Sequence, residues 1–445
     1  MMNLDKVEAR ILEIEREVTD IQLKGYTDSG EVWRIGPSNV MDCVRLNDLR
    51  RELEDITDGE NTLHVNRRGQ FHPVCRLLLE AGKGQYRDWD GHLTRNADTS
   101  GSKVIAPFMR NGIVRKEFFV DKYKLSAIYT AQGGSSHTNH SVGLYGMAPA
   151  HSAGGFTVSY NGTVDEVAAL NSATLPTFFP SSMLDLVHDK HMITWDEYGY
   201  LCLLMMDQGW QCTGNSSQGR DTSGRSGVPA MYKVDNYNPH TLNGSGPRQW
   251  RHNGRFTGIA DLVGGCRVIL SGIKVGGGMI QQIDFSSLGD MTAADLKDTG
   301  THWQAISTTG GGYVDVPTVE SGGAPSGVYC IDFTETPTAS SQKATMISDT
   351  VAIRDQGFYG SVAQSAVTLK GGLTSDWRLE LAVLYPFKSG ALNGQQYLRN
   401  AADSSFVLLA GGYWYAGSDA GPGYLGGVSA FGSASYIIGG LLASD

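Results

Sequence analysis

The chain has 445 residues, of which 40% are hydrophobic, and this length is typical of two or three domains with well-packed cores. Its formal net charge of -10 argues against nucleic-acid binding, which requires clustered Lys and Arg. The first ten residues, MMNLDKVEAR, lack the apolar core of a signal peptide, and no apolar run approaches the length of a membrane span. We therefore expect a protein that is made in a cytosol and not inserted in a membrane.

Residues 1–24 have the heptad spacing of a coiled coil, with apolar side chains alternately three and four positions apart. The β-branched residues at the d positions favour three or more strands, and Arg10 would face Glu15 of a neighbouring helix. The sequence therefore predicts a trimeric coiled coil, and a single amphipathic helix packed on its own domain is the alternative. The seam residues are Leu4, Val7, Ile11, Ile14, Val18 and Ile21.

Residues 25–60 are predicted to form a helical connector, because Leu46, Leu49, Leu53 and Ile56 recur at helical spacing before Gly59. From 61 to 102 the pattern changes to short β-like pieces separated by turn residues, which predicts a small β-rich linker domain.

Residues 103–445 are predicted to form one large α+β unit with long irregular loops. Thr194 and Glu197 have the spacing of a capping box, so a buried helix should begin near Trp195. A Ser/Gly-rich loop follows between Gly214 and Val228. Short apolar strands such as CRVILSGIKV and SSFVLLAGGYW come later, with Gly-rich connections between them.

The last 35 residues combine Tyr, Ser, Gly and Ala, with no Lys, Arg, Glu, Gln, Met or Cys after Arg399. This composition is typical of binding loops, where rigid aromatic rings supply contact area and small polar residues adapt their hydrogen bonds. A pair of Gly-rich core strands would have a similar composition, and the two interpretations are compatible.

Two segments carry a family resemblance. RHNGRFTGIADLVGGCRVILSGIKV resembles a block of formylglycine-generating-enzyme-like C-type lectin folds, and the chain end matches GG-x-W-x-x-G-x-x-A-G in the variable region of retroelement-diversified proteins. Phage receptor-binding tail proteins of the tropism-determinant type are the best-known members. The chain departs from the pattern at Gly265, at Cys266-Arg267-Val268 and at Gly439-Gly440-Leu441. The matching positions at the chain end are Gly411, Gly412, Trp414, Gly417, Ala420 and Gly421.

The resemblance covers about residues 103–445 and implies a C-type lectin fold whose variable region, 411–445, binds a bacterial surface glycan or protein. It implies a homotrimeric phage tail or fibre protein, attached to the virion through its N-terminus and made in the host cytoplasm. Trp414, Leu425 and Ile438 should face the core, and Asp419 is the one charged residue on a mostly neutral binding face. The residues expected on that face are Tyr413, Tyr415, Ala416, Asp419, Tyr424, Gly426, Ser429, Ser433, Ser435 and Tyr436.

No motif in the sequence predicts catalysis strongly. Gly421–Gly426 matches G-x-G-x-x-G, but too little chain follows for a dinucleotide fold. The pairs His137/His140 and His188/His191 lack a third metal ligand, and the carboxylate pairs Asp196/Glu197 and Asp261/Asp290 are no better than arbitrary ones, since adjacent helical residues do not share a face. We expect a non-enzymatic protein without metal or cofactor, with a glycan-degrading or oxidase enzyme and a purely structural virion protein as alternatives.

The cysteines support the same expectation. All six lie at or before Cys330, whereas formylglycine-generating enzymes need a reactive pair near the C-terminus of the fold. No C-x-x-C pair occurs, so the thiols are expected to be reduced and mostly buried, with a Cys202–Cys212 disulfide as the alternative.

Overall fold

The computed structural model describes most of the chain and shows a mixed α+β protein made largely of sheet, which confirms the predicted class. The described residues are 4–23, 40–65, 71–79, 86–87, 93–94, 104–129, 137–139, 142–151, 190–230, 239–288, 295–319, 323–431, 433 and 435–444. Its α-helices are α1 (Leu4–Leu23), α2 (Val40–Ile56), α3 (Trp195–Asp207), α4 (Phe285–Leu288) and α5 (Trp377–Leu381). No helix in these ranges is both long and apolar enough to cross a bilayer.

The strands are short, and their connections are long. In chain order they are β1 (Asn61–Val65), β2 (Phe71–Leu78), β3 (Tyr86–Arg87), β4 (Leu93–Thr94), β5 (Met109–Arg110), β6 (Ile113–Val114), β7 (Glu117–Asp121), β8 (Ser126–Tyr129), β9 (His137–Asn139), β10 (Ala148–Pro149), β11 (Lys190–Met192), β12 (Arg267–Gly276), β13 (Met279–Gln282), β14 (Gln304–Ile306), β15 (Tyr313–Asp315), β16 (Ser326–Phe333), β17 (Thr345–Thr350), β18 (Gly360–Ala363), β19 (Thr368–Leu369), β20 (Gln395–Leu398), β21 (Ser405–Ala410), β22 (Leu425–Ala430), β23 (Ile438–Gly439) and β24 (Leu442–Ser444).

The largest sheet has twelve strands, nine of them in the order β18-β20-β22-β21-β12-β13-β16-β17-β19, with β14, β15 and β23 attached beside them. Strand β12 is central and buried along its whole length. It pairs with β21 and β13 antiparallel and with β23 parallel. Helix α3 packs against β12 and α5, so the main core lies between these helices and the sheet.

Helix α3 begins where the sequence predicts. The Thr194 side chain accepts a hydrogen bond from the Glu197 amide, and the Glu197 side chain accepts one from the Thr194 amide. This reciprocal pair satisfies two of the donors that a helix N-terminus leaves unpaired.

A second sheet, ordered β1-β2-β7-β24-β11, joins distant parts of the chain. Strand β2 pairs with β7 from Val74↔Asp121 to Leu78↔Glu117, so hydrogen bonds cross the predicted boundary between the 61–102 linker and the 103–445 unit. Strand β24, near the end of the chain, lies between β7 and β11. The C-terminal strand is therefore internal to this sheet.

The apolar seam of α1 is buried within the chain. Ile11, Ile14, Val18 and Ile21 pack in one cluster with apolar residues of α2, β1 and β2. These side chains were predicted to pack against neighbouring chains, so the coiled coil is not confirmed. The sequence pattern is ambiguous because one apolar stripe can face a second copy of the helix or the protein's own sheet.

The charged residues of α1 also have partners within the chain. Arg10 binds both carboxylate oxygens of Glu52 on α2, at 2.5 and 2.7 Å, rather than a Glu15 of a neighbouring helix. Glu15 is fully buried and accepts hydrogen bonds from Lys122 and the Tyr123 hydroxyl. Because a buried charge is costly without a partner, these contacts fix α1 on the body of the protein.

Replacing Ile14 with alanine tests whether this seam belongs to the protomer. Ile14 is fully buried, so Ile14→Ala should lower the free energy of unfolding by about 2–5 kcal/mol while the molar mass of the native protein stays unchanged. Chemical unfolding and light scattering measure the two quantities. Met41→Ala, at a side chain that is 77% exposed on α2, is the control. Dissociation of the Ile14→Ala protein into smaller folded species would instead support a seam between chains.

Candidate functional site

Six aromatic rings form a continuous row near the C-terminal strands. Successive ring centroids lie 5.6, 5.8, 6.1, 4.3 and 4.5 Å apart, and all but the 4.3 Å pair fall within the range of about 4.5–7 Å typical of favourable aromatic pairs. In spatial order, the aromatic row consists of Tyr359, Tyr397, Tyr424, Tyr413, Tyr415 and Trp414.

The row is exposed at one end and buried in its middle. Tyr415 is 51% exposed and Tyr413 is half-buried, whereas Tyr424 is only 2% exposed. Burial raises the pKa of Tyr413, Tyr424 and Tyr397, so these phenols are neutral at physiological pH and keep their O–H donors. The row can therefore offer ring faces for stacking and hydroxyls for hydrogen bonds, which is the chemistry of many carbohydrate and protein contact surfaces.

Backbone hydrogen bonds hold the exposed end of the row in place. The Trp414 amide donates to the Gly265 carbonyl at 3.0 Å, and the Trp414 carbonyl accepts from the Gln218 amide at 2.7 Å. The Gly417 amide donates to Ser216 at 2.8 Å, so the predicted Ser/Gly-rich loop is a direct support of the row. Rings displayed on such a pre-ordered backbone lose little conformational entropy when they bind.

Asp221 in turn orders that loop. Its carboxylate accepts hydrogen bonds from the amides of Ser223 and Arg225, from the Arg225 guanidinium and from Trp250 Nε1. Burial alone would raise the pKa of Asp221, but these donors outweigh it and the pKa is lowered. The loop is thus organised around an ionised carboxylate.

Two of the ten residues predicted on the exposed face are buried, which corrects their placement. Tyr424 lies between Tyr397 and Tyr413, and Gly426 is buried where β22 passes Arg267. Tyr424 directly precedes β22, and β22 lies inside the large sheet between β20 and β21, so the residues at its start are covered on both faces. Leu425 and Ile438 are buried as predicted, whereas Trp414, which was expected in the core, is only partly buried.

The remaining predicted residues lie at the surface in two groups. Ala416 and Asp419 follow Tyr415, and the Asp419 carboxylate accepts a hydrogen bond from the Tyr397 hydroxyl in the row. Tyr436 is 38% exposed, and its ring contacts His151 rather than a ring of the row. Ser429, Ser433 and Ser435 are partly buried along the same C-terminal segment as Tyr436.

Three residues of the site were missed by the sequence interpretation: Tyr359, Tyr397 and Arg267. Strand β20 runs parallel to β22 and places Tyr397 opposite Gly426, although the two are far apart in sequence. Arg267 begins β12 and lies with its guanidinium 5.1 Å from the centre of the Tyr413 ring. Arg267 belongs to the Cys266-Arg267-Val268 departure from the family pattern, and this departure is the sequence signal that could have pointed to it.

The adjacent carboxylates Asp196 and Glu197 share one partner, Arg110. The forked guanidinium of Arg110 reaches Asp196 Oδ2 at 3.1 Å and Glu197 Oε1 at 3.0 Å. Although burial opposes it, His191, Arg110 and Arg115 hold the pKa of Glu197 well below its usual range. A carboxyl group held ionised in this way is unsuited to donate a proton in glycan cleavage.

The other candidate groups are not assembled into a site within the described ranges. His140, His188 and Asp290 lie outside them, and the side chain of His137 is not described. Among the described residues there is no cluster of three or more potential metal ligands. All six cysteines are free and buried, so the Cys202–Cys212 disulfide is not formed.

The chain matches no family model, and its sequence is not significantly similar to that of any curated protein.

A buried histidine lies beneath Tyr436. The His240 ring stacks on His151 at 5.9 Å, and His151 contacts the Tyr436 ring at 5.2 Å. Burial and the nearby charge of Lys124 lower the pKa of His240 to about 3. The neutral form of this imidazole is therefore required in the folded protein.

This requirement predicts a loss of stability in acid. A histidine with a lowered folded-state pKa stabilises the protein above its unfolded pKa of about 6.5, and this contribution falls by up to about 1.4 kcal/mol per pH unit towards pH 3. The slope of unfolding free energy between pH 6.5 and 4 should be smaller in His240→Gln than in the wild type. Chemical unfolding at several pH values measures it, with His302→Gln at a partly exposed histidine as the control. Equal slopes in the His240→Gln and wild-type proteins would contradict the assignment.

Proposed function

We propose that this chain is a receptor-binding protein of a phage tail or fibre tip, which attaches to a bacterial cell surface through the aromatic row. The observation that carries the proposal is the row itself: six rings in continuous contact, exposed at the Tyr415 end and supported by backbone hydrogen bonds. Aromatic side chains on a rigid support are enriched among residues that dominate binding energy. The protein is proposed to bind and not to catalyse.

We also propose that residues 103–445 have a C-type lectin type of fold, in which a fixed scaffold carries a variable surface. The short strands, long connections and central sheet support it. The glycines matched in the resemblance have scaffold roles. Gly411 and Gly412 have φ of +84° and +81°, and a Cβ on Gly411 would lie 2.1 Å from the Leu262 carbonyl oxygen. Side chains that strain the backbone there would be excluded, whereas Tyr415 close by is 51% exposed.

The proposed partners are a surface glycan or protein of the bacterial host and, through the N-terminal part, the virion tail or fibre. Display in three copies would raise the apparent affinity of weak single sites by about 10²–10⁴ without new contacts. Because the seam of α1 is buried within the chain, a trimer would assemble through other surfaces.

Removing the exposed rings tests the proposed function. The double variant Tyr413→Ala/Tyr415→Ala should lower binding of the purified protein to host cells at least about tenfold, since two contact rings are lost. Binding of fluorescently labelled protein to cells, measured over a concentration series, gives the affinity.

Two controls separate loss of contact from loss of structure. Tyr415→Phe keeps the ring and should bind nearly as well as the wild type. Ile113→Ala removes a side chain that is 69% exposed on β6 and should have no effect. If the double variant is folded and binds host cells as tightly as the wild type, the aromatic row is not the receptor-binding surface.

A further inference from the structure

Arg267 is a buried cation at the base of the aromatic row. The residue is 6% exposed, and its guanidinium lies under the Tyr413 ring and beside the Tyr424 hydroxyl. Its Nε has no hydrogen-bond partner among the described residues. No carboxylate of the described chain forms an ion pair with it, and Asp419, the nearest acid in sequence to these tyrosines, is bonded to Tyr397 instead.

Arg267 differs from the other buried cations of the described chain in the groups that surround its charge. Lys122, Lys190 and Lys274 each form an ion pair with a carboxylate. The two that lack such a pair donate to backbone carbonyl oxygens: Lys124 to Gly264 and Cys266, and Arg251 to Gly244 and Gly258. Arg267 has aromatic groups where the others have charged or carbonyl oxygens.

A buried guanidinium without an anionic partner is unfavourable, because its desolvation is not offset by an opposite charge. The aromatic face of Tyr413 and the hydroxyl of Tyr424 offset only part of this cost. An anion that reached Arg267 would supply the missing interaction. The planar guanidinium presents a fork of N–H donors that matches the oxygens of a carboxylate or a phosphate.

The neighbouring strand approaches the guanidinium closely. Gly426 on β22 has no side chain, and a Cβ there would lie 3.0 Å from Arg267 Nη1 and 3.4 Å from the Tyr424 hydroxyl oxygen. Any larger residue at 426 would crowd Arg267 Nη1. Glycine at this position therefore lets β22 pass beside the guanidinium without displacing it.

We propose that Arg267, together with the Tyr424 hydroxyl, binds a carboxylate or phosphate group of the receptor. This inference rests on the proposed function and specifies its ligand: an acidic surface polysaccharide whose sugar rings stack on the aromatic row and whose anionic group bonds Arg267. It replaces the sequence-based expectation of a mostly neutral target. That expectation considered the charges of the C-terminal segment alone, whereas Arg267 enters the site from β12.

Small anionic probes test the inference directly. Isothermal titration of the wild-type protein with sodium glucuronate, glycerol 1-phosphate and methyl glucoside should show binding of an anion and at least about tenfold weaker binding of the neutral sugar. Preference for glucuronate would indicate a carboxylate-bearing polymer, and preference for glycerol 1-phosphate a phosphate-bearing one.

Three variants assign the binding to Arg267. Arg267→Met should lower anion binding at least about tenfold while leaving the melting temperature of the free protein unchanged or raised, since an uncompensated charge is removed. Gly426→Ala should weaken anion binding with no change of charge. Arg255→Met, at an exposed arginine, is the matched control and should bind like the wild type.

Equal binding of glucuronate, glycerol phosphate and methyl glucoside by the wild type would overturn the inference, as would anion binding that is unchanged in Arg267→Met or Gly426→Ala. If the wild type binds host cells through Tyr413 and Tyr415 but Arg267→Met binds them equally well, the inference fails and the proposed function stands. If the wild type does not bind host cells at all, the proposed function fails first.

Discussion

The structure depends on one strand pairing: β24, near the end of the chain, lies between β7 and β11. Through this pairing Ala443 faces both Val120 and His191, and the Ser444 hydroxyl lies 3.4 Å from His64 on β1. The C-terminal segment is thus fixed at both ends, by β21 and β22 in the large sheet and by β24 in the smaller one. A Gly-rich stretch that would be flexible in isolation is therefore held as a rigid support for aromatic side chains.

Some of the fold follows from local sequence signals, and some does not. The capping box at Thr194 predicts the start of α3 because its physical cause lies within four residues. The seam of α1 predicts a helix correctly but not its partner, since the apolar pattern reports burial and not what covers it. Glu15 is the clearest example of a residue whose packing partners local sequence does not predict. The heptad pattern predicts that Glu15 faces Arg10 of a neighbouring helix, but Lys122 and Tyr123, more than one hundred residues later, bury it.

The residues of the candidate site also divide into those that local sequence predicts and those that it does not. Tyr413 and Tyr415 could be identified because aromatic residues among Ser and Gly are typical of contact loops. Tyr397 could not, because its place in the row depends on the parallel pairing of β20 with β22. The same pairing buries Tyr424 beside it, which composition alone cannot show. Arg267 comes from a third strand, so the charge of the site could not be judged from the C-terminal segment.

Mapping where a bound target protects the protein tests the role of the aromatic row most directly. Hydrogen exchange measured by mass spectrometry, on the free protein and on the protein bound to purified cell-envelope polysaccharide of a susceptible host, reports this segment by segment. We predict slower exchange in peptides that cover residues 411–424 and 395–399, with little change in α1 and α2. Protection confined to other parts of the surface, with exchange of residues 411–424 unchanged, would contradict the central claim that the aromatic row binds the receptor.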